Sequence, residues 1–294
     1  MVSAPPALAQ GLQAAGYTVA GDKFPTGRPD RATFLVTTAE GKQLVARTSS
    51  PEVANRTFAN MRALWQSPFG AARQPPGMPQ PLEVLPDLGV LLMEHLPGRP
   101  LADMGPAQER HFDSAIKLLA ELHSSGVTPE TKRSSRGVVR SAQRKAAHAG
   151  QLAPPHAAAL NSLAAALETQ RVGDSELVPT HGDFSPRNVL AGGERLALID
   201  WERFQLADPA RDVAYFASWG WLDVLRRGRM PGGSSIKHAV EVYETARPGA
   251  KLRKRMKFHV AASLMRRACS LIELWPEQSY LVPAIVRVAL RELE

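Results

Sequence analysis

Residues 180–190 read THGDFSPRNVL, and after residues 191–195 the stretch 196–212 reads LALIDWERFQLADPARD. Val189-Leu190 and Leu196 to Ile199 are two short apolar runs around Gly192-Gly193, so the spacing predicts a hairpin. A hairpin brings Asn188, just before its first strand, close to Asp200, just after its second. An amide oxygen and a carboxylate in that place suit a hard divalent cation such as Mg2+, which binds few protein oxygens and takes the rest from phosphates and water. Asp183 lies on the loop before the hairpin, five residues ahead of Asn188. It is near enough to accept a proton from an attacking hydroxyl. The combination points to phosphoryl transfer. Three polar residues of this kind around an apolar hairpin would otherwise be costly to desolvate.

Upstream, residues 7–16 read as a short helix with Leu8 and Leu12 on one face and Gly16 as its stop. The alternating runs 33–38 and 43–47 flank the turn Ala39-Glu40-Gly41-Lys42 and predict a second hairpin. Before it, residues 25–31 form a loop with one glycine and two arginines that could cover phosphates, although an ordinary surface loop accounts for it as well. An amphipathic helix is expected over 52–66, its start marked by Ser50-Pro51. A proline-rich connection, 74–81, then precedes the apolar strand Val90 to Met93, which ends in Glu94-His95-Leu96-Pro97-Gly98. A strand running into a Pro-Gly turn marks a boundary, and the division is expected near residue 97.

Beyond it the chain reads as largely helical. Helices are expected over 108–124, from about 155 to 169, and over 210–227, 236–246, 251–275 and 281–293, with a basic and polar helix or loop over 130–150. The fold class is therefore α+β, a small β-rich part over residues 1–97 and a larger helical part over 98–294.

His181-Gly182-Asp183 with Asn188 resembles the catalytic loop of protein kinases, and Asp200-Trp201-Glu202 stands where those enzymes have a second metal-binding triplet. The glycine after the histidine, the Trp-Glu after the aspartate, and the downstream Asp208-Pro209-Ala210-Arg211-Asp212 are more similar to the aminoglycoside phosphotransferase and choline kinase family. Leu92 to Gly98 resembles that family's interlobe hinge. The resemblance implies a bilobal, protein-kinase-like fold and a kinase of small-molecule hydroxyls. It implies that Asp183 is the base or hydroxyl-orienting residue and that Asn188 and Asp200 hold Mg2+. It also implies that backbone groups of Glu94 and Leu96 hydrogen-bond the adenine of ATP or GTP, with Met93 lining the pocket.

Arg47 stands where the family has a lysine that steadies the nucleotide phosphates. Because the two cations differ in shape and hydration, the grip on the nucleotide is expected to differ. The helix after it carries Thr57 where a glutamate partner is expected, and Glu52 is the nearest carboxylate in sequence. Those departures leave open a kinase-like nucleotide-binding protein without transfer activity.

Other residues read as structural. His181 and Asp212 hold the catalytic loop, His123 is a satisfied buried histidine, and core packing accounts for at least two of Trp201, Trp219 and Trp221. The single cysteine, Cys269, excludes an internal disulfide and reads as a core residue. With 44% hydrophobic residues in 294, the chain can bury a sizeable core, and it has no apolar run long enough to span a bilayer. The start of the chain lacks the pattern of a secretory signal, so the expected compartment is the cytoplasm.

A formal net charge of +8 admits nucleic-acid binding through a basic C-terminal face. Zinc-finger spacing and an aromatic RNA-binding pattern are missing, and solvated basic faces are the commoner cause. Residues 213–294 hold 14 Lys and Arg against 7 Asp and Glu. That balance disfavours a polycationic aminoglycoside as acceptor and favours a neutral or anionic hydroxyl compound, such as a sugar, nucleoside, macrolide antibiotic or metabolite alcohol.

Overall fold

A computed structural model of the chain describes residues 4–20, 32–173, 176–193 and 195–294. The first elements are α1 (Pro6–Ala14), β1 (Thr18–Val19), β2 (Thr33–Thr37), β3 (Gln43–Thr48), α2 (Pro51–Trp65), β4 (Pro81–Leu85), β5 (Val90–Glu94) and β6 (Arg99–Pro100). Then follow α3 (Phe112–His123), β7 (Lys132–Arg133), α4 (Ser135–Leu152), α5 (Ala157–Thr169), β8 (Val178–Thr180), β9 (Val189–Gly192), β10 (Arg195–Leu198) and β11 (Gln205–Ala207). The chain ends in α6 (Ala210–Ala217), α7 (Trp221–Arg226), α8 (Ser234–Ala246), α9 (Arg253–Leu274) and α10 (Val282–Leu293). Two compact units result: Met1–Asp103 with Val189–Phe204, and Met104–Asn188 with Gln205–Glu294.

The first unit is built on a five-stranded antiparallel sheet of order β1-β2-β3-β5-β4. The period-two pattern read from the sequence puts Phe34 and Val36 opposite Ala46 and Leu44, and all four are buried. Val36, Leu44 and Ala46 pack with Val90 and Leu92 of β5 and with Leu12 of α1. Each of the valines and leucines contributes about 1.5–3 kcal/mol when taken fully out of water. Helix α2 begins where Ser50 accepts a hydrogen bond from the Val53 N–H at 3.4 Å and Pro51 takes the first turn, and it buries Ala54, Thr57, Met61 and Leu64.

Strand β4 was not expected. It shifts register against β5 between Pro81 and Glu83, and its opening proline and mixed burial hide the period-two signal of an edge strand. The predicted hairpin is present as β9 and β10, with Leu198 opposite Val189. Strand β9 also pairs with β6, Ala191 opposite Arg99, so this later stretch groups with the first unit although it follows residue 97 by some ninety positions. Gly192 permits that approach: a Cβ there would lie 2.3 Å from the Pro97 carbonyl oxygen.

The second unit is helical except for a small sheet of order β7-β11-β8. Its antiparallel pair sets Gln205 opposite Thr180, and the Thr180 hydroxyl donates to the Gln205 carbonyl at 2.8 Å. Helix α9 runs through the interior, burying Met256, Val260, Leu264, Ala268 and Cys269 among others. Burial pushes the Cys269 thiol up to about 12, as a core cysteine requires. The single helix expected over 210–227 is two helices, α6 and α7, interrupted at Ser218 to Gly220. The start expected at 108 is a 3-10 segment, Gly105–His111, and α3 follows it. Residues 135–152 are helical, with Ser134 capping α4 through the Gly137 N–H at 3.1 Å. Among the described residues no helix is long and apolar enough to cross a membrane.

Candidate active site

Asp183 and Asn188 belong to the second unit, and Arg47, Met93, Glu94, Leu96 and Asp200 to the first. In the second unit the loop after β8 is tied down from below. Gly182, at φ 76, turns the chain through a left-handed conformation that favours glycine. Its N–H donates to both carboxylate oxygens of Asp212, at 3.0 and 3.2 Å, from the first turn of α6. Asp212 and His181 are buried, and His181 Nδ1 accepts from the Asp183 N–H at 3.3 Å. His123 completes the floor, with Nε2 3.5 Å from Asp212 and Nδ1 2.6 Å from the Tyr243 hydroxyl. Burial lowers the pKa of His123, and a neutral ring with its proton on Nε2 satisfies both neighbours. These are the structural roles expected of His181, Asp212 and His123.

Above that floor the Asn188 amide nitrogen donates to the Asp183 carbonyl at 2.9 Å, and its amide oxygen is an acceptor. The Asp183 carboxylate, one-fifth exposed, accepts from Arg266 at 2.6 Å, and Arg266 also donates to the Gly182 carbonyl at 3.2 Å. Burial disfavours the charge of Arg266, but Asp183, with Tyr215 and Asp212, more than offsets it and raises its pKa. The sequence offered no signal for this contact, because Arg266 lies on a long helix late in the chain and is one of many basic residues there.

In the first unit Arg47 joins two carboxylates. Its Nε donates to Glu202 Oε1 at 2.8 Å and its terminal nitrogen to Asp200 Oδ1 at 2.9 Å. Glu202 is almost wholly buried, whereas Asp200 is about a quarter exposed. Glu52, the carboxylate nearest in sequence, is exposed and pairs with Arg56 at 3.5 Å instead. Arg47 therefore takes its partner from the exit of β10 and not from α2. Thr57, at the position expected to carry that partner, is buried, and among the described residues its hydroxyl has no hydrogen-bond partner. Asp200 itself sits at φ 69, ψ 64, a left-handed conformation uncommon outside glycine, between β10 and a 3-10 turn.

Met93 and Leu96 are buried, at and just past the end of β5. The Glu94 N–H donates to the Gln80 carbonyl at 2.9 Å, while its carboxylate accepts from the Gln80 N–H at 3.0 Å and lies 3.6 Å from Arg195. The side chain of Glu94 thus fastens the strand end. The loop over 25–31 lies outside the described residues. Trp201 is core, with its indole N–H on the Leu198 carbonyl, and so is Trp221, bonded to Ser235; Trp219 instead lies against arginines. Among the described residues no group of three or more His, Cys, Asp or Glu could hold a metal. The Asn188 amide oxygen in the second unit and the Asp200 carboxylate in the first are each hard donors of the kind Mg2+ takes.

A comparison with curated proteins found no match. Solved structures give the fold. The chain is similar to a spectinomycin phosphotransferase crystallised with ADP and spectinomycin, at 14% identity and a TM-score of 0.65, covering 97% of each chain. It is similar to a choline kinase from Streptococcus pneumoniae at 15% identity and a TM-score of 0.64, covering 98% of this chain and 97% of the other. A third is a putative fructosamine-3-kinase from Thermobifida fusca, at 19% identity and a TM-score of 0.60, covering 97% and 99%. The model of the phosphotransferase enzyme family matches residues 23–243, which include Arg47, Asp183, Asn188, Asp200 and Asp212, and the chain belongs to that family.

Proposed function

We propose that the protein is a Mg2+-dependent kinase that transfers the γ-phosphate of ATP or GTP to a hydroxyl of a small molecule. The observation that carries this reading is the tethered Asp183. Its backbone is fixed by His181 and Asn188, the Gly182 N–H just before it by Asp212, and its carboxylate stays partly exposed. A carboxylate so held can orient an incoming hydroxyl and take its proton without reorganising. Arg47 is the cation for the nucleotide phosphates, with Glu202 holding its inner edge. Backbone groups of Glu94 and Leu96 serve the base and Met93 packs against it. Since the Glu94 N–H is already bonded to Gln80, its carbonyl is the group for that contact. Asn188 and Asp200 would hold Mg2+, which would supply charge neutralisation on the phosphates. The nucleotide in the spectinomycin phosphotransferase structure supports ATP as donor.

The acceptor belongs to the same broad group as the antibiotic, choline and fructosamine substrates named for the similar structures. An Asp183→Ala change is expected to lower transfer by roughly 100-fold or more, with nucleotide affinity largely retained. Assay of the purified protein with Mg2+, nucleotide and a broad panel of hydroxyl acceptors tests the reading. Unchanged turnover in the variant, or no transfer to any acceptor by the wild type, would sink it.

A further inference from the structure

Around Asp183 the second unit carries a chain of stacked cations and rings. Arg266 and Arg267 are consecutive on α9. Arg266 lies over the Tyr215 ring at 4.4 Å, and Arg267 over the Trp219 ring at 3.8 Å. Tyr215 and Trp219 meet edge to face at 5.8 Å. Arg187, from the loop between Asp183 and Asn188, lies 5.4 Å from the same Trp219 ring and 5.2 Å from Trp275. One indole therefore carries two guanidinium groups.

The three arginines differ in charge balance. Arg266 is neutralised by Asp183. Arg187 and Arg267 have no carboxylate within ion-pair distance among the described residues; Arg187 faces the Trp219 and Trp275 rings, and Arg267 the Trp219 ring and the Tyr215 hydroxyl. Burial lowers the pKa of Arg267; Tyr215 opposes this, and the positive charges of Arg187 and Arg266 add to it. Stacking on an aromatic face stabilises a cation by about 0.5–2 kcal/mol but supplies no counter-charge. It also occupies only the face of the guanidinium, so the in-plane N–H groups of Arg187, and those of Arg267 beyond its bond to Tyr215, keep the geometry that matches an oxyanion. Arg187 is exposed, and Arg267, Trp219 and Trp275 are partly so, which leaves the group open to a ligand.

We propose that Arg187 and Arg267, stacked on Trp219, form an oxyanion subsite, and that the phosphate acceptor bears a phosphate, sulfate or carboxylate group as well as its reacting hydroxyl. The acceptor assignment rests on the transfer reading of Asp183; the anion site itself does not. The two arginines are linked to the candidate base through a run of contacts: Asp183 to Arg266, Arg266 over Tyr215, Tyr215 against Trp219, and Trp219 under both Arg187 and Arg267. A molecule whose hydroxyl meets Asp183 thus has its anionic group within reach of them. A polycationic acceptor meets two unneutralised cations and is rejected.

The test uses the full chain and two arms. Binding of Mg-ADP is measured first. Inorganic sulfate and phosphate are then titrated into the Mg-ADP complex at constant ionic strength set with chloride, and tryptophan fluorescence is followed. A saturable change with both oxyanions is expected, weakened at least tenfold in an Arg187→Gln, Arg267→Gln double variant and unaffected by Arg226→Gln elsewhere on the surface. In the transfer assay, acids are expected to be preferred over their neutral counterparts at least tenfold in kcat/KM, as with a sugar phosphate or uronate against the parent sugar. The double variant should lose that preference while keeping its KM for nucleotide. No saturable response in the wild type overturns the subsite whatever the variants do, as does an equal response in a folded double variant. Equal use of neutral and anionic acceptors overturns the acceptor assignment. If Mg-ADP fails to bind while sulfate still saturates, the transfer reading fails and the anion site stands.

Discussion

Arg47 holds two carboxylates with one guanidinium, and the geometry depends on its fork: Nε faces Glu202 and a terminal nitrogen faces Asp200. A lysine has one point charge on a flexible stem and could serve only one of them well. The arginine at 47 and the absence of a carboxylate at Thr57 are therefore one arrangement, in which Glu202 supplies the anchor that was expected on α2. Because Glu202 is the more buried partner, it fixes Arg47, and the more exposed Asp200 is the one that can exchange partners. Glu202→Gln is expected to raise the nucleotide KM roughly fivefold, equivalent to about 1 kcal/mol of positioning, with a smaller change in kcat. Glu202→Asp should recover part of the loss. Steady-state kinetics with nucleotide varied would check this, and an unchanged KM in both variants would remove Glu202 from the phosphate-binding role.

At the scale of elements, α6 and α9 meet through Asp208. Its carboxylate accepts from the Ala210 N–H at 2.9 Å, at the start of α6, and lies 2.7 Å from Arg255 and 3.3 Å from His259 on α9. Arg255 and His259 are four residues apart, so one face of α9 presents both. Burial works to raise the Asp208 pKa, but His259, the Ala210 N–H and Arg255 outweigh it and hold the group down at about 2, against an ordinary 3.8. A carboxyl depressed in the folded state stabilises it above the unfolded pKa, and that stability drains away as pH falls through the folded pKa. The contribution is roughly 2 kcal/mol at neutral pH, and it declines between about pH 4 and pH 2. Urea denaturation of wild type and Asp208→Asn at stepped pH should show a gap that is constant from pH 7 to 5 and narrows below pH 4. A gap that widens on acidification would contradict the assignment. The hairpin β9–β10 makes a different point at this scale. Its strands and turn follow from local pattern, but its pairing with β6 requires the bare backbone of Gly192 against Pro97, a contact between residues far apart in sequence.

At the scale of the whole molecule, a nucleotide that binds only the folded chain must stabilise it. Mg-ATP at a hundred times its dissociation constant contributes about 2.7 kcal/mol, which for a chain of this size is a rise of several degrees in Tm. Thermal melts with and without Mg-ATP would test this, and absence of a shift at saturating concentration would count against nucleotide binding altogether. The sequence alone determined the family, the α+β class and the residues of the loop and hairpin, because those depend on short-range spacing: HGD with Asn188, an apolar hairpin, and Asp200 at its exit. It also determined most helices, since their burial repeats every three to four residues. Only the tertiary structure decided what each charge faces. Glu202 rather than Glu52 anchors Arg47, Arg266 from α9 reaches Asp183, and Trp219 contacts both Arg187 and Arg267 while Trp201 and Trp221 are core. Each of these contacts joins residues separated by tens of positions or more, and the partner of a long charged side chain is selected by packing at a distance, for which local pattern carries no signal.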